Sequence, residues 1–484
     1  MTGNLKEATA PEEKEDQLSD SSARHMLREM VAELRNNFNN NLLMPLAERK
    51  KQLNGIQRML EEHQQDFEQA LYADLGKPAF ESFMTEIAIV QREARDASRQ
   101  LESWAAPARA GMFFPLQPAT AHTVAQPLGL VLIIAPWNYP LQLSLMPVIG
   151  AIAAGNCVVL KPSELAQHTS NLLARLLPEY VSRDYLRVVE GAVDETTVLL
   201  NQRFDHIFFT GSEQVGRIVR KAAAYMDATC TLELGGKCPC IVDENVNLAH
   251  AAENIVWGKF LNAGQTCIAP DYVLVNKNLE RELLDEMKKV LLKFYGEDPS
   301  ASPDYGRIIN RKHYDRLMEL MQGDGIIVAG GKSDPDKLYI APTILSKVPR
   351  DAHIMDDWEE IFGPVLPVLS VESVADAVAF IRRRPEPLAI YLFSKEKNTF
   401  DYVAKNTRSG ALSVNATIVH GSVPSLPFGG VGASGCGQYH GKYSFDTFSY
   451  RRAIFKKATW PDPSAALTHP PYTDFKKSVV KRVM

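Results

Sequence analysis

Three residues could run nucleophilic chemistry on a carbonyl. Cys267 closes Gly264-Gln-Thr-Cys267, a glycine-containing loop after a helix pattern. A thiol there can attack a carbonyl carbon once it is a thiolate with a base in reach. An inert buried thiol is the commoner fate of one cysteine among six. Glu233 stands between two leucines in Leu232-Glu-Leu-Gly-Gly-Lys237. Partial desolvation there raises a carboxyl pKa toward the range of a general base. A paired acid at a strand end would look the same. Asn138, in Pro136-Trp-Asn-Tyr-Pro140, follows an apolar run. Its amide N–H could hold an oxyanion, although a turn asparagine is the more frequent use.

Two further segments suit a dinucleotide. Phe208-Phe-Thr-Gly-Ser-Glu-Gln-Val-Gly216 leaves an apolar strand and opens a helix. Gly211 permits the tight turn, Ser212 can cap the helix, and the free N–H groups at its start can face a pyrophosphate. An ordinary capped turn has the same pattern. Lys161 and Glu164 in Lys161-Pro-Ser-Glu164 follow another buried strand. Ligands bind outside the carboxyl ends of such strands, so this pair could meet ribose hydroxyls or form a solvated ion pair. Gly430-Val-Gly-Ala-Ser-Gly435 matches a dinucleotide fingerprint but lies in a glycine-rich loop without the preceding strand and later acid. Cys238-Pro-Cys240 lacks the second pair of a zinc site. It reads as small buried thiols, and no metal is expected.

These residues need elements to position them. The chain has 484 residues, 45% apolar and 23% charged, with net charge -5. That is enough for a globular protein of more than one domain and gives no nucleic-acid footprint. Residues 24 to 104 read as helical. Residues 107 to 121 read as a proline-rich loop. Continuous apolar runs at 130–135, 157–160 and 207–209 suit parallel strands covered on both faces. Helices lie between them, as in a doubly wound sheet. The pattern restarts after Gly235-Gly236 and continues to about residue 415. Helix is expected over 248–262, 279–295 and 214–225. Residues 421–441 read as loop and 447–455 as a late strand.

The most apolar stretch, 141–160, contains Pro147, Gly150, Gly155 and Asn156. It reads as a buried helix, a turn and a strand, with no membrane span. Residues 1–20 carry six acidic residues against two lysines and read as a disordered tail without a targeting signal. Few, irregularly spaced cysteines suit a reducing compartment, so a cytoplasmic location is expected. The basic end, Lys481 to Met484, reads as a solvated tail.

The order of these blocks closely resembles the aldehyde dehydrogenase superfamily. The match runs from Pro136-Trp-Asn-Tyr-Pro140 through Lys161-Pro-Ser-Glu164, Phe209-Thr-Gly-Ser212, Leu232-Glu-Leu-Gly-Gly-Lys237 and Gly264-Gln-Thr-Cys267 to Glu360-Ile-Phe-Gly-Pro364. It covers roughly residues 25 to 455. Cys267-Ile-Ala-Pro-Asp-Tyr272, Pro427-Phe-Gly-Gly-Val-Gly432, Tyr439-His-Gly-Lys442 and Ser444-Phe-Asp-Thr-Phe448 resemble the class 3 branch of fatty and aromatic aldehyde dehydrogenases.

The resemblance implies Cys267 as nucleophile, Glu233 as general base and Asn138, with the Cys267 backbone N–H, as oxyanion hole. It implies Lys161 and Glu164 near the adenosine ribose, and Gly211, Ser212 and Gly216 beside the pyrophosphate. Glu360 and Phe362 would hold the nicotinamide ribose and ring, and Trp137 falls with the cofactor-binding residues. The implied cofactor is NAD, with NADP possible. The implied α/β fold has a Rossmann-like cofactor domain (24–111 and 128–234) and an α/β catalytic domain (235–425). A small β bridging arm (112–127 and 444–456) pairs subunits in a homodimer, and 1–23 and 457–484 are tails. The expected activity is oxidation of a medium- or long-chain aliphatic or an aromatic aldehyde to the acid through a thiohemiacetal and a thioester. A CoA-acylating semialdehyde dehydrogenase, or a non-catalytic protein on the same scaffold, would share part of the pattern.

Overall fold

A computed structural model describes residues 21–112, 116–323, 325–357, 359–460 and 462–483. The expected N-terminal tail lies outside the described residues up to position 20, and a helix, Ser21–Asn39, begins there. The apolar runs become two separate sheets. The six-stranded sheet has the order Gly435–Cys436, Thr229–Leu234, His206–Gly211, Leu130–Ile134, Cys157–Lys161, Leu186–Val188. All neighbours are parallel except Gly435–Cys436, which runs antiparallel to Thr229–Leu234. The chain moves outward from Leu130–Ile134 on one side, then returns to His206–Gly211 on the other. That reversal opens a crevice beyond the carboxyl ends of the two central strands.

The seven-stranded sheet has the order Ile326–Ala329, Thr343–Ser346, Val365–Val371, Tyr272–Asn276, Pro239–Val242, Ala389–Phe393, Ala411–Val414. It is parallel apart from its first strand. Each sheet carries its own apolar core. The strand before Gly235 belongs to one sheet and the strand after it to the other.

The apolar stretch 141–160 forms a helix, Gln142–Ala154, buried from Leu143 onward, then the strand Cys157–Lys161. Gly155 takes φ 98°, the left-handed stop that glycine allows at least cost. Asn156 ties the turn together. Its amide donates to the Ala151 and Phe448 carbonyls, and its oxygen accepts from Gly129 N–H. Among the described residues no helix is long and apolar enough to cross a membrane.

Four readings near the chain end differ in the structure. The stretch 421–441 is not all loop, because Gly435–Cys436 adds a strand to the edge of the six-stranded sheet. Residues 444–447, expected at the start of the arm's second segment, lie in a helix, Lys442–Thr447. That helix packs on Gln142–Ala154, where a Cβ at Gly150 would come within 2.5 Å of Ser444 Cβ. The late strand starts at Ser449 and runs to Lys457. It pairs over its length with Ala119–Pro127, which also pairs with Ala108–Arg109. The segment 457–484, expected as a tail, contains the helices Pro463–Thr468 and Asp474–Val483.

Candidate active site

Asn138 follows the first central strand, and its buried amide donates to the Gln265 carbonyl at 3.0 Å. Next to it, Tyr139 hydroxyl and Thr266 Oγ1 share a 2.7 Å hydrogen bond. These contacts set the Asn138 loop of one sheet against the Cys267 loop of the other. Cys267 is partly accessible, and the N–H groups of Cys267 and Ile268 point at its sulfur. Burial raises its thiol pKa, and the Glu360 and Glu233 carboxylates raise it further.

Glu233 is buried at the carboxyl end of Thr229–Leu234. Neither carboxylate oxygen has a hydrogen-bond partner among the described residues. Burial, and then the nearby Cys436, hold its pKa well above the usual carboxylate range. A buried acid without partners costs free energy in its charged form, so its place calls for a function. Asn138, Cys267 and Glu233 thus meet at the seam between the sheets.

The Cys267 loop has an unusual backbone. The helix expected over 248–262 stops at Phe260. Asn262 and Ala263 take positive φ, 53° and 51°, which breaks the helical run. Side chains hold this strained turn. The Asn262 N–H donates to Glu81 at 2.9 Å, and its amide donates to the carbonyls of Asn138 and Gln265. Gln265 donates to the carbonyls of Asn262 and Arg307 and accepts from Ile309 N–H.

Lys77 and Glu86 form an ion pair with both side chains at 0% exposure. Lys77 also donates to the Asn138 carbonyl at 3.2 Å and lies 4.2 Å from the Tyr139 ring centre. Glu86 accepts from the N–H groups of Leu141 and Gln142 at the start of the next helix. The pair therefore fixes the loop that carries Asn138. Sequence reasoning missed both residues, which lie within the stretch read only as helical. Lys77→Met is expected to destabilise the fold by about 3 to 5 kcal/mol, because Glu86 is left buried without its cation. Urea unfolding checks this, and an unchanged midpoint would contradict it.

The dinucleotide candidates gather at the same edge. Gly211 ends the strand His206–Gly211, and Ser212 caps the helix Glu213–Tyr225 by accepting from Val215 N–H at 3.5 Å. The first N–H groups of that helix have no acceptor within it. A Cβ at Gly216 would come within 2.7 Å of Leu234 Cδ2, so the helix sits close on the sheet. Lys161 is buried and pairs at 2.6 Å with Glu164, whose side chain is 41% exposed.

Glu360 lies against Gly235, where a Cβ would fall 1.8 Å from its Oε2, and it accepts from Gly236 N–H. Burial and Asp271 raise its pKa well above the usual range. Phe362 takes φ 48° and packs edge-on to Trp137 at 5.3 Å. Arg316 straps this loop by donating to the Glu360 and Ile361 carbonyls, at 3.1 and 2.6 Å. Ile361 N–H donates to Asp271, which pairs with Lys237 at 2.7 Å. Arg316, Asp271 and Lys237 carried no sequence signal of a supporting role.

These features fit a dinucleotide. A capped helix start stands at the topological reversal, an ion pair lies at the end of the neighbouring strand, and the Trp137 and Phe362 rings pack on the Asn138 loop. Gly430–Gly435, the fingerprint match, forms a short 3-10 turn, Gly432–Ser434, and leads into the edge strand Gly435–Cys436 instead of opening a helix. Cys238 and Cys240 are buried thiols. Among the described residues no cluster of three or more His, Cys, Asp or Glu side chains could hold a metal.

Residues 10–454 match the model of the aldehyde dehydrogenase family. Three curated relatives show where in that family the similarity lies. Human aldehyde dehydrogenase family 3 member B1 is 46% identical, over 92% of this chain and 94% of its own. Staphylococcus aureus 4,4'-diaponeurosporen-aldehyde dehydrogenase is 45% identical, over 90% and 94%. The dog enzyme named aldehyde dehydrogenase, dimeric NADP-preferring, is 44% identical, over 92% and 98%. The substrate-bound structure of S. aureus AldH superposes with a TM-score of 0.91 at 43% identity, covering 94% of this chain and 99% of that one. The chain belongs to the aldehyde dehydrogenase family, in its class 3 branch, as an NAD(P)-dependent enzyme.

Proposed function

We propose that Cys267, Glu233 and Asn138 carry the oxidation of a medium- or long-chain aliphatic or an aromatic aldehyde. The observation that carries this reading is the buried carboxylate of Glu233, without a hydrogen-bond partner among the described residues and near a thiol and a side-chain amide. Cys267 attacks the aldehyde carbon as thiolate. The resulting oxyanion accepts from Asn138 Nδ2 and from the Cys267 N–H. The dinucleotide supplies the hydride acceptor. The thiohemiacetal carbon gives up its hydride, and a thioester remains on Cys267. Glu233 then takes a proton from water, which attacks the thioester. The acid leaves and the thiol is free again.

Gly211, Ser212 and Gly216 would receive the pyrophosphate, Lys161 and Glu164 the adenosine ribose, and Glu360, Phe362 and Trp137 the nicotinamide side. Glu164 disfavours a 2'-phosphate by charge, which supports NAD over NADP. The two cores support cofactor-binding and catalytic domains that meet near residue 235.

The strand Ser449–Lys457 is the edge of its sheet and exposes Tyr450 and Phe455. An open strand edge that exposes two aromatic rings among its basic residues leaves backbone groups for a second copy to pair with, which supports a homodimer. Free thiols throughout support a cytoplasmic location.

Asn138→Ala is expected to lower kcat by about 100- to 1000-fold, the usual effect of losing one oxyanion donor. A change confined to KM would contradict the role. Substrate class is tested by NADH formation with aldehydes from acetaldehyde to hexadecanal, plus benzaldehyde. Higher kcat/KM for hexanal and longer aldehydes is expected. A preference for acetaldehyde over hexanal would overturn it.

A further inference from the structure

Cys230 and Cys436 have no part in the chemistry above. They lie on adjacent antiparallel strands at the edge of the six-stranded sheet. Cys436 pairs with Leu232, so Cys230 is its diagonal neighbour on the same face. The Cys436 thiol donates to the Cys230 carbonyl oxygen at 3.8 Å. Arg220, on the helix Glu213–Tyr225, donates to Cys436 Sγ at 3.8 Å. Both cysteines are partly accessible, whereas Cys157, Cys238 and Cys240 are buried.

We propose that Cys230 and Cys436 form a reversible disulfide in response to peroxide, a modification site separate from the nucleophile Cys267. The register puts the two cysteines on one face of adjacent strands, with Cys436 Sγ 3.8 Å from the Cys230 carbonyl oxygen, and it leaves both open to a small oxidant. The hydrogen bond from Cys230, and then Arg220, hold the Cys436 thiol below its ordinary pKa. Thiolate character makes Cys436 the attacking sulfur, and Cys230, whose pKa is pushed up, the resolving one.

The step balances in two parts. Cys436 thiolate attacks one oxygen of hydrogen peroxide. The O–O bond breaks, an S–O bond forms, and hydroxide takes a proton to leave as water. Cys230 sulfur then attacks the sulfenic sulfur. The S–S bond forms, the S–O bond breaks, and a second water leaves with the Cys230 proton. Two thiols are oxidised by two electrons and one peroxide is reduced. A dithiol such as dithiothreitol reverses the step by exchange. The bond would fasten Gly435–Cys436 to the strand that carries Glu233, under the helix that starts at Ser212.

The test uses the full-length, fully reduced enzyme and limiting hydrogen peroxide, quenched with N-ethylmaleimide and digested for mass spectrometry. The expected product is one peptide pair joined through Cys230 and Cys436, lighter by two hydrogens than its parts. It should account for most of the oxidised Cys436 and vanish with dithiothreitol. Cys436→Ser and Cys230→Ser should each abolish it. Oxidised Cys436 recovered mainly as sulfinic acid or joined to another cysteine, or Cys436 left wholly alkylated once the peroxide is consumed, would overturn the proposal. The readout needs no turnover, so it stands or falls independently of the catalytic roles.

Discussion

Cys267→Ala is expected to lower NAD(P)-coupled aldehyde oxidation by about 10⁴- to 10⁶-fold, the range seen when a covalent nucleophile is removed. The reason is positional. Cys267 is partly accessible at the seam between the sheets, and Asn138 reaches the carbonyl two residues before it. Cys240, in the strand Pro239–Val242, is wholly buried in the apolar core of its sheet. Cys240→Ala should therefore keep turnover within about a factor of ten, with any loss traced to a small core cavity. NADH absorbance with an excess of hexanal measures both variants, and circular dichroism checks their folding. A Cys267→Ala enzyme that turned over within tenfold of the parent would end the assignment.

The thiol also makes a prediction about pH. Burial and the Glu360 and Glu233 carboxylates favour its neutral form in the protein without cofactor. Alkylation of Cys267 by iodoacetamide should accordingly keep rising with pH beyond about 8.5, the ordinary thiol value. A rate that levels off below that value would show a thiolate activated before cofactor binds.

How much of this site could be read from the sequence depends on the kind of residue. Strands such as Leu130–Ile134 and Cys157–Lys161 announced themselves, because burial on both faces demands unbroken apolar runs. Ser212 was legible because a cap is a local device, set by three neighbouring residues. Lys77 and Glu86 were not. Their pairing with the Asn138 loop spans 61 and 55 positions of sequence, and neither sits in a pattern that marks it. Asn262 shows a different limit. Helical spacing carried the expected helix through it, but its hydrogen bonds to Asn138 and Gln265 override helical propensity and turn the backbone left-handed. Gly435–Cys436 was missed for a third reason. A strand of two residues has no periodicity to detect, and only its partner Thr229–Leu234 defines it. The reactive groups were thus visible by type and company, whereas the groups that fix their positions were hidden in long-range contacts.

Glu233→Gln should separate the two halves of the reaction. The amide keeps the shape of the side chain but takes no proton. Attack by Cys267 and hydride loss need no proton transfer to Glu233, so the first turnover should still release NADH as a burst. Hydrolysis of the thioester needs an activated water, so the steady state should fall by about 10²- to 10⁴-fold, the usual contribution of a general base. The pH dependence follows from the same burial. The Glu233 carboxyl is held well above the usual carboxylate range by desolvation, and then by Cys436. Only its deprotonated form can take a proton from water. The kcat of the parent enzyme should therefore drop as pH falls through that raised pKa, with an acid limb at higher pH than an exposed glutamate would give, and the Gln variant should lack the limb. Stopped-flow and steady-state assays at matched pH values read both effects. A variant that lost its burst along with its steady state would place Glu233 at the thiol-activation step instead, and a variant that kept the acid limb would assign that limb to another group.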